Sequence, residues 1–181
     1  AEPPAALVAF GRVARVYQAD VSDFALAQRV VDSVRRDFGR LDVLVCNAGI
    51  TDDAVTWKMS ESQWDRVVAV NLKGCFNYCR AVAAVFKDQK GGRIVNIASI
   101  NGLRGKFAQA NYAASKGGVI AFSKTLAREL GKFGVNVNVV APGMVSTDMA
   151  RALPPAVVEA AIDETVMGRL ASPEECSDLV A

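Results

Sequence analysis

Apolar residues rich in β-branched side chains form three short runs along the 181-residue chain. They span residues 41–49, 92–99 and 134–143, and each run ends in small or turn-forming residues. Runs of this length and composition predict buried strands. A weaker run at residues 15–21 predicts a fourth strand that precedes the other three.

Longer segments with apolar residues at helical spacing separate these runs and predict helices at 24–38, 60–88 and 109–132. The second helix opens on Ser60 and Gln63, a capping-box pattern. Residues 144–171 predict a short helical insertion, and a last helix begins at Ser172. Alternating strands and helices predict a single domain over residues 1–181. We expect the α/β class, with a doubly wound parallel sheet of Rossmann type in three αβα layers.

The composition is that of an ordinary globular protein, because 51% of the residues are hydrophobic and 22% are charged. The net charge of +2 predicts no nucleic-acid partner. No apolar run is long enough for a membrane span, and the N-terminus lacks a signal-peptide pattern, so we expect a cytoplasmic protein. The chain has four cysteines and no histidine, so a zinc site would need all four cysteines or carboxylates. We expect buried reduced thiols and no metal.

Tyr112 and Lys116 lie four residues apart in the third predicted helix, which places them one turn apart on one face. A lysine charge about 4 Å from the phenol contributes on the order of 4 kcal/mol, or about three pKa units. The pair therefore offers acid–base chemistry without histidine. The alternative interpretation is a solvated lysine near a half-buried tyrosine.

Other polar or small residues follow the predicted strands at the edge where open parallel sheets bind ligands. Ser99 ends the second run of the three, and turn or cap positions explain such residues equally well. The others at this edge are Asp20, Asn47, Ala48, Gly49, Pro142 and Gly143. Asn71 lies within the helix predicted at 60–88, where it indicates either a local distortion or a tolerated polar position.

In their order and approximate spacing, these residues resemble the short-chain dehydrogenase/reductase family over essentially the whole chain. Within that family, the segments QANYAASKGGVIAFSKTLAREL and VNVVAPGMVSTDM are most similar to 3-oxoacyl-acyl-carrier-protein reductases and acetoacetyl-CoA reductases. The resemblance implies reduction of a 3-oxoacyl thioester to the 3-hydroxyacyl product with NADPH, or alternatively NADH. It also implies a homotetramer.

The resemblance implies a role for each matching residue. Tyr112 would protonate the substrate oxygen, Lys116 would lower the tyrosine pKa and hold the nicotinamide ribose, Ser99 would bind the substrate oxygen, and Asn71 would anchor a relay water. Cofactor binding is implied for Asp20, Val21, Asn47, Ala48, Gly49, Tyr112, Lys116, Pro142, Gly143, Val145 and Thr147.

The chain departs from the family pattern at its start, because no glycine-rich G-x-x-x-G-x-G turn precedes Asp20. The first two strands and the last strand of the family are expected to be missing, which would leave unpaired sheet edges. The segment that sets NADH or NADPH preference is therefore also expected to be missing. Cys46 stands where the family often has asparagine.

Two further functions stay open at the level of sequence. One is a dehydrogenase of another secondary alcohol, such as a sugar, a steroid or a hydroxy acid. The other is a catalytically silent nucleotide-binding module. An acidic acyl carrier protein could dock on the cations Lys87, Lys90, Arg93, Arg128 and Lys132, although such residues are also favoured at helix ends.

Overall fold

A computed structural model describes residues 12–151 and 153–181. Its first helix, α1 (Phe24–Phe38), begins after Asp23, whose carboxylate accepts a hydrogen bond from the Leu26 amide. The helix ends at Gly39, whose φ of 78° places it in the left-handed region that glycine tolerates. Both boundaries follow from the local sequence.

The remaining elements alternate as the sequence pattern predicts. After α1 the chain forms β1 (Val43–Cys46), a 3-10 turn (Thr56–Lys58), α2 (Glu61–Val68), a π-helical turn (Ala69–Lys73), α3 (Gly74–Gln89), β2 (Gly92–Ile97), α4 (Asn101–Arg104), α5 (Ala110–Leu130), a second 3-10 turn (Gly131–Phe133), β3 (Val135–Val140), α6 (Asp148–Arg151), α7 (Pro155–Asp163) and α8 (Pro173–Val180). The predicted capping box at Ser60 is confirmed, and a second one forms at Ser172.

The three strands form one parallel sheet in the order β1-β2-β3. Val43 lies opposite Arg93, and Ile97 lies opposite Val140. Helices α3 and α5 connect the strands and pack on the sheet and on each other. A parallel sheet flanked by helices confirms the predicted α/β class of Rossmann type.

The hydrophobic core lies between the sheet and the helices α3 and α5. Ile94 of β2 and Phe86 of α3 are both fully buried in it. On the opposite face of β1, Val43 and Val45 are 51% and 43% exposed. The described residues therefore show helices over one face of the sheet, while the second face stays open at β1.

The strand predicted at residues 15–21 is wrong. Residues 12–20 carry no regular secondary structure, and a turn follows at Val21 and Ser22. A strand needs a neighbour to accept its backbone hydrogen bonds, and within the described residues β1 pairs only with β2. Val21 is held instead by α3, because the Asn77 amide donates to the Val21 carbonyl at 2.9 Å.

Among the described residues, none of the helices combines the length and the apolar character that crossing a membrane requires.

Candidate active site

Tyr112 and Lys116 lie in the first two turns of α5, directly beside the end of β2. Lys116 is only 4% exposed, and its ammonium donates a hydrogen bond to the Ile97 carbonyl at 2.7 Å. The Nζ atom lies 5.8 Å from the centroid of the Tyr112 ring. The two side chains therefore share one face, as their spacing predicts, and the lysine is buried rather than solvated.

Ser99 lies two residues beyond the end of β2 and is 7% exposed. Its hydroxyl lies close enough to the Tyr112 phenol to lower the pKa of that phenol, and it accepts a hydrogen bond from the Asn101 amide at 3.2 Å. The strand end and the helix start thus bring the serine and tyrosine hydroxyls together, although thirteen positions separate them in the chain.

Asn71 lies in the π-helical turn between α2 and α3, which confirms a local distortion of the long helix. Its amide oxygen accepts from the Ile50 backbone N–H at 2.8 Å, and its Nδ2 donates to the Ile50 carbonyl at 3.0 Å. Nδ2 also donates to the Ser115 hydroxyl at 3.1 Å. Asn71 therefore joins the loop after β1 to the helix that carries Tyr112.

Gly49 brings the backbone of that loop close to the same group. A Cβ at this position would lie 3.4 Å from both the Asn71 side-chain oxygen and the Lys116 Nζ. A side chain here would occupy the surface beside the Lys116 ammonium, and the glycine leaves that surface free for a flat ligand group.

A cavity of about 520 Å³ opens in front of Ser99 and Tyr112. Its walls come from the loops after β1, β2 and β3 and from the helices α6 and α7, and its lining includes Asp53, Gly143, Val145 and Thr147. This is the carboxyl edge of the sheet, where the sequence predicts ligand binding. The volume suits a small organic ligand.

These observations agree with the comparisons of the chain with known proteins. Residues 2–157 match the family model described as short chain dehydrogenase. The chain belongs to the short chain dehydrogenase family. It is therefore an NAD(P)-dependent oxidoreductase.

Curated relatives of this short chain dehydrogenase include nodulation protein G of Azospirillum brasilense, which is 43% identical over 166 residues, covering 92% of the chain and 68% of the relative. Acetoacetyl-CoA reductase of Shinella zoogloeoides is 44% identical, covering 91% of the chain and 69% of the relative. The 3-oxoacyl-(acyl-carrier-protein) reductase FabG of Thermotoga maritima is also 44% identical, covering 91% and 67%. The chain spans about two thirds of the length of these relatives.

The residues predicted to bind the cofactor of this dehydrogenase divide between separate cavities. Tyr112, Gly143, Val145 and Thr147 line the large cavity, whereas Val21, Asn47 and Ala48 line a second cavity of about 160 Å³ with Cys46 and Cys75. Pro142 lines a third cavity of about 360 Å³ beside α8. The structure therefore gathers these residues along one sheet edge but not in one cavity.

Asp20 does not line any of these three cavities and instead forms hydrogen bonds within its own turn. Its carboxylate accepts hydrogen bonds from the Ser22 amide and hydroxyl, both at 2.8 Å. These bonds lower the pKa of Asp20 below its ordinary value. Asp20 therefore shapes the turn before α1, and Asp23 caps the helix.

The expected lowering of the Tyr112 pKa by Lys116 is not produced by the protein groups of this structure. The pKa of Tyr112 is raised, first because burial disfavours the phenolate, while the Ser99 hydrogen bond lowers it and Asp53 raises it. Burial likewise lowers the pKa of Lys116. The ammonium is directed at the Ile97 carbonyl, so it acts less directly on the phenol than the sequence spacing suggests.

Sequence reasoning missed two buried residues of the short chain dehydrogenase site. Asn111 is fully buried and donates to the backbone carbonyls of Asp52 and Gln63, at 2.9 and 3.1 Å. Ser115 is also fully buried and donates to the Tyr112 carbonyl at 2.8 Å. Both hold the start of α5 in place. The sequence signal that could have identified them is their position in NYAASK, where Asn111 precedes Tyr112 and Ser115 precedes Lys116.

The four cysteines are free, as expected. Cys75 and Cys79 are buried, whereas Cys46 and Cys176 are half-buried. The Sγ atoms of Cys46, Cys75 and Cys79 all lie within 4.8 Å of one another. Cys75 and Cys79 are four residues apart on α3 and so lie one turn apart, whereas Cys46 reaches them from β1, a contact that spacing along the chain does not encode.

Proposed function

We propose that this protein reduces a 3-oxoacyl thioester to the 3-hydroxyacyl product with NADPH. The observation that carries the proposal is the convergence of Ser99, Tyr112 and Lys116 at a cavity of about 520 Å³. Relatives named acetoacetyl-CoA reductase and 3-oxoacyl-acyl-carrier-protein reductase, at 41–44% identity, support the substrate class.

The nicotinamide cofactor supplies the hydride when it is bound. The exposed backbone of Asn47 to Gly49 and the buried Lys116 ammonium would hold it, and the absence of a side chain at Gly49 fits such a group. Val145 and Thr147 line the same cavity as Tyr112 and would hold its carboxamide and diphosphate portions.

The side chains of the protein then supply one proton to the substrate oxygen. Ser99 and Tyr112 both hydrogen-bond that oxygen, which stabilises the negative charge that develops there. Tyr112 gives its proton to the oxygen as the C–H bond forms and becomes a tyrosinate. Lys116 and the positive charge of the oxidised cofactor both stabilise the tyrosinate. Asn71, whose amide oxygen faces Gly49 as the Lys116 ammonium does, would hold the water that returns the proton.

The experiment is an assay of NADPH oxidation with acetoacetyl-CoA, comparing the wild-type protein with Tyr112→Phe. We expect turnover in the wild type and a loss of at least 10³-fold in the variant, because the proton donor is gone. Retained turnover in Tyr112→Phe would contradict the mechanism. A panel of sugars, steroids and hydroxy acids tests the wider dehydrogenase alternative, and tight cofactor binding with no turnover on any carbonyl would instead indicate a silent module.

The preference for NADPH over NADH is part of the same proposal. It rests on the resemblance to 3-oxoacyl-acyl-carrier-protein reductases. The ratio of kcat/KM for the two cofactors measures it. A ratio below one would assign NADH.

Docking of an acyl carrier protein is proposed at the cations Lys87, Lys90, Arg93, Arg128 and Lys132. Arg93 and Lys90 line a cavity of about 400 Å³ at the amino end of β2, opposite to Ser99. A carrier bound there is far from Tyr112 of the same chain, so the patch would serve a neighbouring chain of an oligomer. Lys90→Glu should raise KM for a carrier-bound substrate and leave KM for a small thioester unchanged.

The oligomer itself is proposed to be a homotetramer built through α3 and α5. Phe24 and Phe76 stack with ring centroids 6.3 Å apart, and both are more than 40% exposed. Phe76 also meets Phe122 of α5 edge-on at 6.0 Å. Such an exposed aromatic row favours a protein contact. Sedimentation of wild type and Phe76→Asp tests it, with dissociation expected in the variant.

A cytoplasmic location is proposed as well, supported by four free cysteines. The single domain predicted over residues 1–181 is retained as a proposal, and limited proteolysis would test it by yielding one resistant core.

A further inference from the structure

Three cysteines form a compact group on the helix side of the sheet. Cys46 ends β1, whereas Cys75 and Cys79 lie one turn apart on α3. Their Sγ atoms lie within 4.8 Å of one another, and those of Cys46 and Cys79 are 4.0 Å apart. We call these three residues the thiol cluster. None of the three thiols has a role in the reduction described above, although the cluster borders the cavity that Asn47 and Ala48 also line.

The thiol cluster is fixed by its surroundings. The Cys79 thiol donates to the Asn96 side-chain oxygen at 3.5 Å, and the Asn96 amide donates to the Ser123 hydroxyl at 2.8 Å. Cys75 and Cys79 are 7% and 0% exposed, so their side chains have little freedom to reorient. The three sulfur atoms are thus held close together in the absence of a metal ion.

Metal binding requires the thiolate form of each cysteine, so a cation that binds all three sulfurs would displace the thiol protons. The Lys116 ammonium lies close enough to act on Cys75, and its positive charge favours the anionic form of the cluster.

The cluster also has an approach from solvent. The cavity of about 160 Å³ is lined by Cys46 and Cys75, with Val21, Leu44 and Tyr78 among its apolar walls. A water molecule occupies about 30 Å³ in the liquid. The cavity can therefore admit a small ion and hold a water beside it.

We propose that the thiol cluster binds one thiophilic divalent cation, of which zinc is the representative, through three thiolates and a water on the cavity side. Zinc–thiolate bonds of about 2.3 Å in a tetrahedral arrangement place the sulfurs about 3.8 Å apart. The observed separations need to contract by less than about 1 Å to reach this geometry. Three thiolates and a divalent cation carry a net charge of −1, which Lys116 offsets.

The chemistry selects this class of ion over harder cations. Magnesium and calcium require oxygen ligands, whereas the cluster presents three sulfur atoms. Thiolate ligands favour zinc and its heavier analogue cadmium. Cys176 lies on α8, away from the cluster, and provides a matched control cysteine.

The experiment titrates Cd²⁺ into the reduced protein and follows the ultraviolet charge-transfer absorption of cadmium–thiolate bonds. We expect saturation at one equivalent per chain in the wild type and in Cys176→Ser. In Cys46→Ser and Cys75→Ser the affinity should fall at least tenfold. Zn²⁺ should raise the thermal midpoint of the wild type and of Cys176→Ser, but not of Cys46→Ser.

Several results would overturn the proposal. The first is the absence of a saturable one-to-one signal in the wild type. The second is a loss of signal in Cys176→Ser as large as that in Cys46→Ser. The third is a disulfide between Cys46 and Cys79 that persists under reducing conditions. Cys46→Ser is included because Cys46 is the least buried member of the cluster. Circular dichroism identical to that of the wild type would establish that a lost signal reflects a lost ligand.

Discussion

At the scale of single residues, the candidate site depends on a buried ammonium and a buried phenol whose environments are unlike those in water. Lys116 is 4% exposed and Tyr112 is half-buried, so burial shifts both groups toward their neutral forms. A neutral, protonated Tyr112 is the form that an acid catalyst of carbonyl reduction requires. Burial of Tyr112 therefore favours the protonation state needed for reduction rather than for oxidation of the alcohol.

The first prediction concerns the pH dependence of that reaction. In the proposed mechanism Tyr112 gives its proton to the substrate oxygen, and its pKa is raised, so reduction should be insensitive to pH near neutrality. It should fall as pH rises through the tyrosine pKa, and oxidation of the alcohol should rise over the same range. Profiles of kcat/KM in both directions measure this. Interaction with the Ser99 hydroxyl lowers the Tyr112 pKa. The variant Ser99→Ala should therefore shift both the fall in reduction and the rise in oxidation to higher pH.

At the scale of elements, two glycines allow the short helix α4 to lie against α5. A Cβ at Gly102 would lie 2.7 Å from the backbone N of Gly117 and 2.7 Å from the backbone C of Lys116. Contacts this short involve backbone atoms, which cannot rotate away. The close approach of the two helices therefore helps fix the position of α5, and with it Lys116, relative to α4.

The second prediction is that Gly102→Ala destabilises the protein by about 1–3 kcal/mol, because overpacking forces the two helices apart. It should also reduce kcat, since Lys116 moves with the backbone. Denaturant unfolding and steady-state kinetics measure the two effects.

Gly131→Ala is the matched control, because nothing lies within 4 Å of its added Cβ and its φ is −55°. This variant should change stability by less than about 1 kcal/mol. If both variants behaved alike, the close contact of α4 with α5 would not constrain the site.

The third prediction concerns the start of α8, where Glu175 accepts hydrogen bonds from Arg169 and from the Ser172 amide. These interactions, with Arg169 first, lower the Glu175 pKa to about 2 from 4.5. The folded pKa is depressed, so the stabilisation is present above pH 4.5 and is lost as pH falls toward 2. Carboxyl resonances followed by NMR should titrate near that value. In Arg169→Gln the midpoint should rise, and an unshifted midpoint would exclude the ion pair as its cause.

At the scale of the whole molecule, the core is one-sided. Helices α3 and α5 cover one face of the sheet, so Ile94 is 0% exposed, whereas Val45 on the opposite face of β1 is 43% exposed. Residues one strand apart in the same sheet thus have very different surroundings. At β1, therefore, the side chains on the covered face should contribute more to stability than those on the exposed face.

The fourth prediction compares these two positions. Ile94→Ala should cost about 2–5 kcal/mol because it leaves a cavity in the core. Val45→Ala should change the free energy of unfolding by less than about 1 kcal/mol, because the side chain is already largely in water. Denaturant titrations measure both. A comparable loss in the two variants would show that the second face is covered in solution.

The sequence by itself determined the strands β1 to β3, the helices α1 and α5 and the helical character of residues 60–88, because apolar periodicity and capping residues are local signals. It also placed Ser99, Tyr112 and Lys116 near one another, since strand ends and helix starts meet at one edge of a parallel sheet. Only the tertiary structure decided that residues 15–21 form no strand, because a strand depends on a neighbour distant in the chain. The same dependence on distant partners governs the direction of the Tyr112 pKa, the division of the cofactor residues between cavities and the approach of Cys46 to Cys75 and Cys79. Burial and through-space contacts set each of these, and spacing along the chain does not encode them.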